Sequence, residues 1–456
     1  MINKGWFKAK GARFNQYLRQ RSLRDCPNII LISLDTLRAD HVGCYGYHRD
    51  TTPNIDRLAA EGIVFKNAFS TSSWTAPAHM SMLTGLWPTE HGLVQYPNPG
   101  VLSKGVPLLA EILWDAGYMT LGFHGGGYMS PHWGFGRGFH VYQTRGRDLK
   151  HNLTSCLAWI RKFRNRRLFV FLHGFDCHRP YDPPDGFDCF STGLTSSYTV
   201  AQLYEKNAPL PQNGEDIEKI IAKYDGNVRF ADHMIGKFIG ELNGVGLLEN
   251  SIIVVTADHG DELGEHGYFD HIKSLYDETI RIPLVIRGPM SVDHGSIVER
   301  LVSTVDIVPT ILNTVHIPSP PGCGGENLVH SIGDNSVGRS RVVYGSTGYQ
   351  GDFLKNRENL RGHPEMPRPQ ILHYARNERW KLVCGYDAGG VELYDVCDDP
   401  GEQRDVADVY PGKRLELLDG LKRLGCLEWG GFAKSNARGN VANEELKAQL
   451  KELGYL

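Results

Sequence analysis

The segment Asn28-Ile-Ile-Leu-Ile-Ser-Leu-Asp35 decides the fold, because it is short, almost wholly apolar and ends on an acid. A strand that is buried on both faces of a parallel sheet requires such a run. Two further segments have the same form, Leu168-Phe-Val-Phe-Leu-His173 and Ser251-Ile-Ile-Val-Val-Thr-Ala-Asp258. The three segments therefore predict three strands of one buried sheet.

Helix-like segments separate these strands, at residues 52–61, 107–116 and 214–242. Strands that alternate with helices predict a parallel sheet that is covered by helices on both sides. Such sheets bind their ligands at the carboxyl ends of the strands. We therefore expect the chemistry of this protein to lie around Asp35, His173 and Asp258.

The composition is that of a globular protein: 41% of the 456 residues are hydrophobic and 22% are charged. Intrinsic disorder, collagen and coiled coil are excluded as overall descriptions. The formal net charge of −3 gives no basic footprint, so no nucleic-acid partner is expected. No stretch approaches the roughly 18–20 uninterrupted apolar residues of a membrane-spanning helix.

Residues 1–26 are rich in Lys and Arg and lack the apolar core of a secretory signal. We interpret them as a basic arm on the surface; the alternative is a weak contact with an anionic membrane surface through the apolar residues Trp6, Phe7, Phe14 and Leu18. The nine cysteines are scattered and contain no Cys-x-x-Cys pair, which indicates neither a zinc framework nor a disulfide scaffold. Together these features predict a cytoplasmic location.

The character of the sequence changes near residue 320, where loop-like segments begin. Two short strand candidates follow, at 371–375 and 380–384, and then come the segment 392–395, a turn at 398–401 and two helical patterns that extend to the end of the chain. They predict a small antiparallel sheet with helices that packs on the main domain. We divide the chain into a basic arm (1–26), a catalytic domain (27–320) and a C-terminal subdomain (321–456).

Two motifs carry candidate functional groups besides Asp35, which taken alone is as well explained as a turn residue or helix cap. Asp258-His259-Gly260 places a carboxylate beside an imidazole after a buried strand, as a metal-binding pair requires. Thr75 precedes Pro77 by two residues and so opens a predicted helix. A hydroxyl at a helix N-terminus faces free N–H groups, which suits an anionic substrate; the alternative is a plain N-cap.

The order of the motifs resembles the sulfatase branch of the alkaline phosphatase superfamily. Two of the motifs that carry this resemblance are Thr75-Ala-Pro-Ala-His-Met-Ser-Met-Leu-Thr-Gly85 and Thr256-Ala-Asp-His-Gly-Asp-Glu-Leu-Gly-Glu-His-Gly267. The matching blocks, in family order, are 28–46, 52–59, 75–85, 171–181, 256–267, 275–284, 302–310 and 392–402. The resemblance implies an α/β fold, a three-layer α/β/α sandwich with a smaller C-terminal antiparallel α+β domain.

The sequence departs from this pattern at the nucleophile. Formylglycine sulfatases have Cys/Ser-x-Pro-x-Arg where this chain has Thr75-Ala-Pro-Ala-His79. Threonine is not a substrate for that oxidation, and the arginine is replaced by histidine. The sulfate-binding Gly-Lys-Trp-His segment is also absent, since the chain reads Phe123-His-Gly-Gly-Gly-Tyr-Met-Ser-Pro131 there. The chain is in this respect similar to the phosphodiesterases and phosphonate monoester hydrolases that use a threonine nucleophile.

The resemblance implies one divalent metal ion, bound by Asp35, Thr75, Asp258 and His259. An imidazole in the ligand set favours Mn²⁺ or Zn²⁺, although Ca²⁺ is possible. A metal ion lowers the pKa of a bound hydroxyl and prepares it for in-line attack. The sequence thus predicts a metal-dependent hydrolase of phosphate or phosphonate esters with a covalent phosphothreonine intermediate.

Further roles follow from the same resemblance. His178 is expected to contact the substrate or to protonate the leaving group. His271 and Lys273 compete for the role of the cation that steadies the non-bridging oxygens. His266 is interpreted as structural. Weaker candidates for contact with the substrate, or for holding a metal ligand in place, are Arg38, His79 and His124.

Three alternatives stay open at this point. The first is a sulfuric ester hydrolase that uses unmodified threonine. The second is a transferase that moves a phosphoethanolamine or phosphoglycerol group onto a glycan or lipid, and the third is a non-catalytic member that binds a metal or anion. The expected substrate is a small-molecule, glycan-linked or lipid-linked anionic ester, and the superfamily suggests a homo-oligomer.

Overall fold

The computed structural model describes residues 26–203, 211, 213–289, 295–331, 341–349, 370–385 and 390–427. The predicted basic arm, apart from Cys26, and the predicted helix beyond residue 427 lie outside the described residues. Among the residues described, no helix combines the length and the apolarity that a membrane span would require.

The strands, in chain order, are β1 Asn28–Leu34, β2 Ile63–Phe69, β3 Gln95–Tyr96, β4 Met119–Phe123, β5 Val141–Gln143, β6 Leu168–Gly174, β7 Ser251–Ala257, β8 Glu262–Leu263, β9 Phe269–Asp270, β10 Arg281–Ile282, β11 Leu284–Arg287, β12 Ser296–Ser303, β13 Val343–Tyr349, β14 Gln370–Arg376, β15 Trp380–Gly385 and β16 Val391–Asp395. The α-helices are α1 Pro53–Ala60, α2 Thr75–Thr84, α3 Pro88–His91, α4 Leu109–Asp115, α5 Leu149–Phe163, α6 Gly214–Gly244, α7 Asp277–Ile280, α8 Ile307–Thr314 and α9 Pro411–Arg423.

The three predicted strands form the centre of a large sheet, whose order is β10-β2-β11-β7-β1-β6-β4-β5, with β12 paired to β2. Strand β1 lies between β6 and β7 and is parallel to both. All residues of these three strands are buried, which explains their continuous apolar sequence. Because Leu34 lies opposite both Gly174 and Ala257, the three strands end at one edge.

The sheet is mixed, whereas the sequence predicted a parallel one. Strand β11 is antiparallel to both β7 and β2. The chain leaves β7 at its carboxyl end, passes along that edge of the sheet and enters β11 from the same edge. The direction of β11 is therefore reversed, and the intervening residues 258–283 remain beside the carboxyl ends of the central strands.

Two layers of helices cover the sheet and complete the predicted three-layer sandwich. Helix α6 packs against α1 and α5 in one layer. Helix α2 packs against α4 and α8 in the other. The three predicted helices are present, with bounds that differ by a few residues, and α6 begins where the Asn213 side chain accepts a hydrogen bond from the Asp216 N–H.

The second sheet has the order β16-β15-β14-β13-β3, and its last four strands in sequence are antiparallel as predicted. Of its five strands, β14 and β15 were predicted, whereas β16, β13 and β3 were not. Strand β3 comes from the N-terminal half of the chain and pairs in parallel with β13. Helix α9 packs against β14 and β15. The second sheet therefore includes a strand from the part of the sequence that we assigned to the catalytic domain.

Buried charges join the two sheets. The Nζ atom of Lys381, which is fully buried, lies 2.9 Å from Asp277 Oδ1 and 2.6 Å from Glu402 Oε1. Nearby, His266 Nδ1 lies 2.6 Å from Glu278 Oε1, and the His266 ring stacks on Tyr276 with 3.8 Å between ring centroids. These contacts give His266 a structural environment, as its place in the sequence suggested.

The pKa of His266 makes this junction sensitive to pH. Burial lowers that pKa, but the hydrogen bond and the charge of Glu278 outweigh burial and raise it to about 9 from 6.5. A raised histidine pKa contributes stability that is complete below the unfolded value and is lost as the pH rises through the folded value.

We therefore expect the free energy of unfolding of the wild type to decrease, relative to His266→Gln, between pH 6.5 and 9. Glutamine keeps a polar side chain but does not titrate. Urea unfolding of both proteins at several pH values measures the difference, in which the titration of groups that do not interact with His266 cancels. Parallel pH profiles would show that the ion pair with Glu278 contributes nothing.

Candidate active site

The ends of β1 and β7 bring together Asp35, Asp258 and His259, all fully buried. One ligand atom of each residue lies within 4.8 Å of the corresponding atoms of the other two. The sequence predicted that these three side chains converge, and the pairing of β1 with β7 is the reason that they do. A cluster of this kind can hold a divalent ion.

Backbone N–H groups hold Asp258 in place. Its Oδ1 atom accepts hydrogen bonds from the N–H of His259 at 2.9 Å and from the N–H of Thr36 at 3.3 Å. Thr36 has a φ of +59°, a left-handed conformation that is unfavourable for a β-branched residue. The strained turn directs this N–H toward Asp258, and strain at such a position is typical of functional sites.

His259 is oriented as a metal ligand. Its Nδ1 atom lies 2.7 Å from the carbonyl oxygen of Gly260, which can only accept, so Nδ1 carries the proton. The lone pair of Nε2 then faces two more acceptors, Asp258 Oδ2 at 3.4 Å and Asp35 Oδ1 at 3.8 Å. All three atoms are buried, and none has a hydrogen-bond partner among the described residues. Three acceptors that face one another without a donor fit a cation between them.

The pKa values of the three residues also fit a bound cation. Burial, together with the charge of His271, lowers the pKa of His259 to about 3, so its imidazole is neutral. Burial and the charge of Asp35 raise the pKa of Asp258 well above its usual value. Burial also opposes ionisation of Asp35, but the hydrogen bond from His173 together with the nearby His178 and His259 outweighs burial, and the pKa of Asp35 is lowered. A divalent cation would allow both carboxylates to ionise.

Thr75 lies next to this cluster. It is the first residue of α2, and Trp74 occupies the N-cap, so the alternative interpretation of Thr75 as an N-cap is wrong. The Thr75 hydroxyl is buried and donates a hydrogen bond of 3.2 Å to Asp35 Oδ2. The structure therefore brings together all four residues that we predicted as metal ligands.

His79, one turn further along α2, contacts two of the predicted metal ligands, Thr75 and Asp258. Its Nδ1 lies 3.0 Å from the carbonyl oxygen of Thr75, so Nδ1 donates and Nε2 accepts from the Ser33 hydroxyl at 2.9 Å. The same Nδ1 lies 3.4 Å from Asp258 Oδ2. Because burial lowers the pKa of His79 well below its usual value, the side chain at the family's arginine position is uncharged.

His271 lies on the other side of the cluster, with its ring centroid 4.5 Å from that of His259. Its Nδ1 atom lies 3.0 Å from Asp261 Oδ1 and 3.1 Å from Asp270 Oδ1. Burial lowers the pKa of His271, but the charges of Asp270 and Asp261 outweigh burial and raise it. Its buried Nε2 has no hydrogen-bond partner in the described part of the chain. A protonated His271 can therefore offer Nε2–H to an anion.

Two further residues were predicted to contact the substrate, His178 and Lys273, and His178 lies beside His271. The His178 ring lies 5.2 Å from the His271 ring, and its Nδ1 donates to the Arg179 carbonyl at 2.7 Å. Lys273 lies instead near Glu262, whose pKa burial raises to about 8 although the charge of Lys273 partly offsets that rise. Of the two residues that competed for the cation role, His271 is thus the one that contacts a predicted metal ligand.

Arg38 is held by other protein groups. Its guanidinium donates to the Asp261 carbonyl at 3.0 Å and forms ion pairs with Glu265 at 2.5 Å and Asp40 at 2.6 Å. These contacts fix the segment that carries Asp261.

His124 is buried and stacks on Tyr142, with 4.4 Å between ring centroids. Its Nδ1 accepts a hydrogen bond of 3.1 Å from the Gly126 N–H. Burial lowers its pKa to about 3, so the ring is neutral.

Asp261 and Asp270 are functional candidates that were not predicted from the sequence. Both lie against His271, and the Tyr181 hydroxyl also donates to Asp261. The three side chains are close enough to form a second candidate ion group. The proton on His271 Nδ1 already bridges the two carboxylates, however, so one ion remains the simplest expectation. The signal in the sequence was an acid three residues after Asp258, in the same matched block.

Two protein-family profiles match this chain. The sulfatase family profile matches residues 27–317. A second profile, described as the C-terminal region of N-sulphoglucosamine sulphohydrolase, matches residues 264–419. The predicted resemblance to the sulfatases is confirmed.

Individual relatives extend over most of the chain. An arylsulfatase of Clostridium perfringens is 24% identical, over 91% of this chain and 96% of its own length. Two solved structures share the fold with 21% identity and a TM-score of 0.71. One is a complex with the substrate D-glucosamine-2-N,6-O-disulfate, matched over 91% of this chain and all of that chain. The other is the phosphonate monoester hydrolase of Agrobacterium radiobacter, matched over 88% and 95%. The chain belongs to the sulfatase family of hydrolases.

Proposed function

We propose that this protein is a metal-dependent hydrolase of phosphate or phosphonate esters that uses Thr75 as its nucleophile. The proposal is carried by one observation: the unmodified Thr75 hydroxyl lies 3.2 Å from Asp35 Oδ2, beside the cluster of unpartnered acceptors. Threonine brings a hydroxyl to this position without any oxidation.

The residues present fit a divalent ion. Asp35, Asp258 and His259 would hold it together with the Thr75 oxygen, and this mixed oxygen and nitrogen set favours Mn²⁺ or Zn²⁺ over Ca²⁺. When bound, the ion would neutralise the two carboxylates and lower the pKa of the Thr75 hydroxyl.

The side chains then divide the work of the reaction. The Thr75 oxygen attacks the phosphorus atom, and Asp35 Oδ2 is the nearest base for its proton. His271 offers an N–H to a non-bridging oxygen, which carries negative charge in the transition state. The bond to the leaving alcohol breaks and the alcohol takes a proton; His178 can donate it only as an imidazolium, because its Nδ1–H is held by the Arg179 carbonyl and burial lowers its pKa well below the usual value. Water then hydrolyses the ester on Thr75.

The chemistry of threonine favours a phosphorus centre. The Cβ of Thr75 carries a single hydroxyl, so an ester formed there has no neighbouring hydroxyl that could expel the acid group. Release therefore requires a second attack on the central atom, and in-line displacement at phosphorus supplies such a step. The structural similarity to a phosphonate monoester hydrolase supports this choice.

A second candidate is hydrolysis of sulfate esters by the same threonine. It is favoured by the arylsulfatase among the relatives and by the N-sulphoglucosamine sulphohydrolase profile that matches the C-terminal part.

A substrate panel separates the two candidates. We expect turnover of nitrophenyl phosphate, bis-nitrophenyl phosphate or a phenylphosphonate ester in the presence of Mn²⁺ or Zn²⁺, and slower turnover of nitrophenyl sulfate. The rates are measured by release of nitrophenol or phenol. Turnover of the sulfate ester alone would favour the second candidate.

Replacement of the nucleophile tests the covalent step. We expect Thr75→Ala to lose activity by at least about a thousandfold, because the attacking atom is removed. Thr75→Ser keeps the hydroxyl and serves as the matched control, with measurable activity. Mass spectrometry of acid-quenched wild type should detect phosphorylated Thr75. Equal activity of wild type and Thr75→Ala, at equal thermal stability, would exclude Thr75 as the nucleophile.

Metal analysis tests the ligand set. We expect purified wild type to carry about one divalent ion per chain, and Asp258→Asn and His259→Ala to lose it, because each variant removes one ligand. The exposed carboxylate of Asp188 provides a control, since Asp188→Asn should keep the ion. Elemental analysis after desalting gives the content. If the two site variants and the control carry equal metal, the assigned ligands are wrong.

A further inference from the structure

We infer that His173, which no role above requires, is a positioning residue that turns Asp35 so that one of its oxygens faces the ion. The inference rests on the proposed ion site. His173 is fully buried in β6, directly beside β1, where it lies opposite Ser33.

The tautomer of His173 follows from its contacts. The backbone N–H of Gly125 lies 3.2 Å from His173 Nδ1, and a backbone N–H can only donate. Nδ1 is therefore the acceptor, and Nε2 carries the proton. Nε2 lies 3.3 Å from Asp35 Oδ2, so His173 donates to that oxygen.

This hydrogen bond decides how Asp35 uses its two oxygens. Oδ2 accepts from His173 Nε2–H and from the Thr75 hydroxyl. Oδ1 accepts no hydrogen bond among the described residues and lies 3.8 Å from His259 Nε2. The two donors thus fix the carboxylate plane and leave Oδ1 for the ion. Groups that orient a metal ligand in this way typically change metal affinity about 10–100-fold when they are lost.

The glycine-rich segment that replaces the family's lysine motif supplies the donor. Gly125 packs so closely that a Cβ atom there would overlap the Phe175 ring and the Arg147 carbonyl. Only glycine therefore allows the backbone N–H at this position to approach His173. The segment 123–131 therefore has a role in this inference: the Gly125 N–H selects the tautomer of His173, which in turn contacts Asp35.

A packing role alone makes a different prediction. The His173 ring contacts the His79 and Phe175 rings edge to face, with 4.8 Å between centroids in each pair. If these contacts were its whole purpose, the loss of a donor toward Asp35 would not matter beyond its effect on folding.

Paired variants of the full-length protein distinguish the two roles. Glutamine places an N–H₂ group near the position of Nε2, whereas asparagine is too short to reach Asp35. We expect His173→Asn to weaken Mn²⁺ or Zn²⁺ binding by about 10–100-fold and His173→Gln to stay much closer to the wild type. The affinity is measured by competition with a chromophoric chelator, and the thermal stability of the metal-free proteins is measured in parallel.

Each outcome has a defined meaning. If Asp258→Asn binds the metal like the wild type, the ion lies elsewhere, and both the proposed site and this inference fail. If Asp258→Asn loses the metal while both His173 variants bind it like the wild type, only the positioning role is overturned. Equal weakening in the Asn and Gln variants would also overturn it.

Nitrogen-15 NMR of His173 in the metal-free wild type needs no variant: a proton on Nε2 is expected, and a proton on Nδ1 contradicts the inference.

Discussion

Mutual repulsion of buried acceptors is the constraint on which the site depends. Asp35 Oδ1, Asp258 Oδ2 and His259 Nε2 converge in the buried interior, and none of the three atoms forms a hydrogen bond with the described residues. An unpaired charge in such a place is costly. The surrounding contacts nevertheless hold these atoms together, which is the expected arrangement when a cation completes the structure.

Much of the fold could be predicted, because burial on both faces leaves a strong signal in sequence. The apolar runs at β1, β6 and β7 identified the centre of the sheet, and their final residues identified its functional edge. The antiparallel strand β11 could not be predicted, since its first three residues are as apolar as those of a parallel strand. The direction of β11 depends only on the edge of the sheet from which the preceding loop enters the strand.

The site was predictable where a residue's role follows from its position at the end of a strand or helix. Thr75, Asp258 and His259 are of this kind. The choice between His271 and Lys273 was not predictable, because a shift of one or two residues along an irregular loop decides which side chain faces the predicted metal ligands. The uncharged state of His79 was equally hidden, as it arises from burial and from contacts with Ser33 and the Thr75 carbonyl.

Strand β3 gives the architecture a property that a division into consecutive domains would miss. The second sheet is completed by Gln95–Tyr96, which precede most of the large sheet in the chain. A polypeptide that ended near residue 320 would leave these residues without their hydrogen-bonding strand. A transplanted C-terminal portion would expose the open edge of β13, the type of edge that promotes aggregation. The two portions are consequently not interchangeable modules, and recombination between relatives would have to exchange both together.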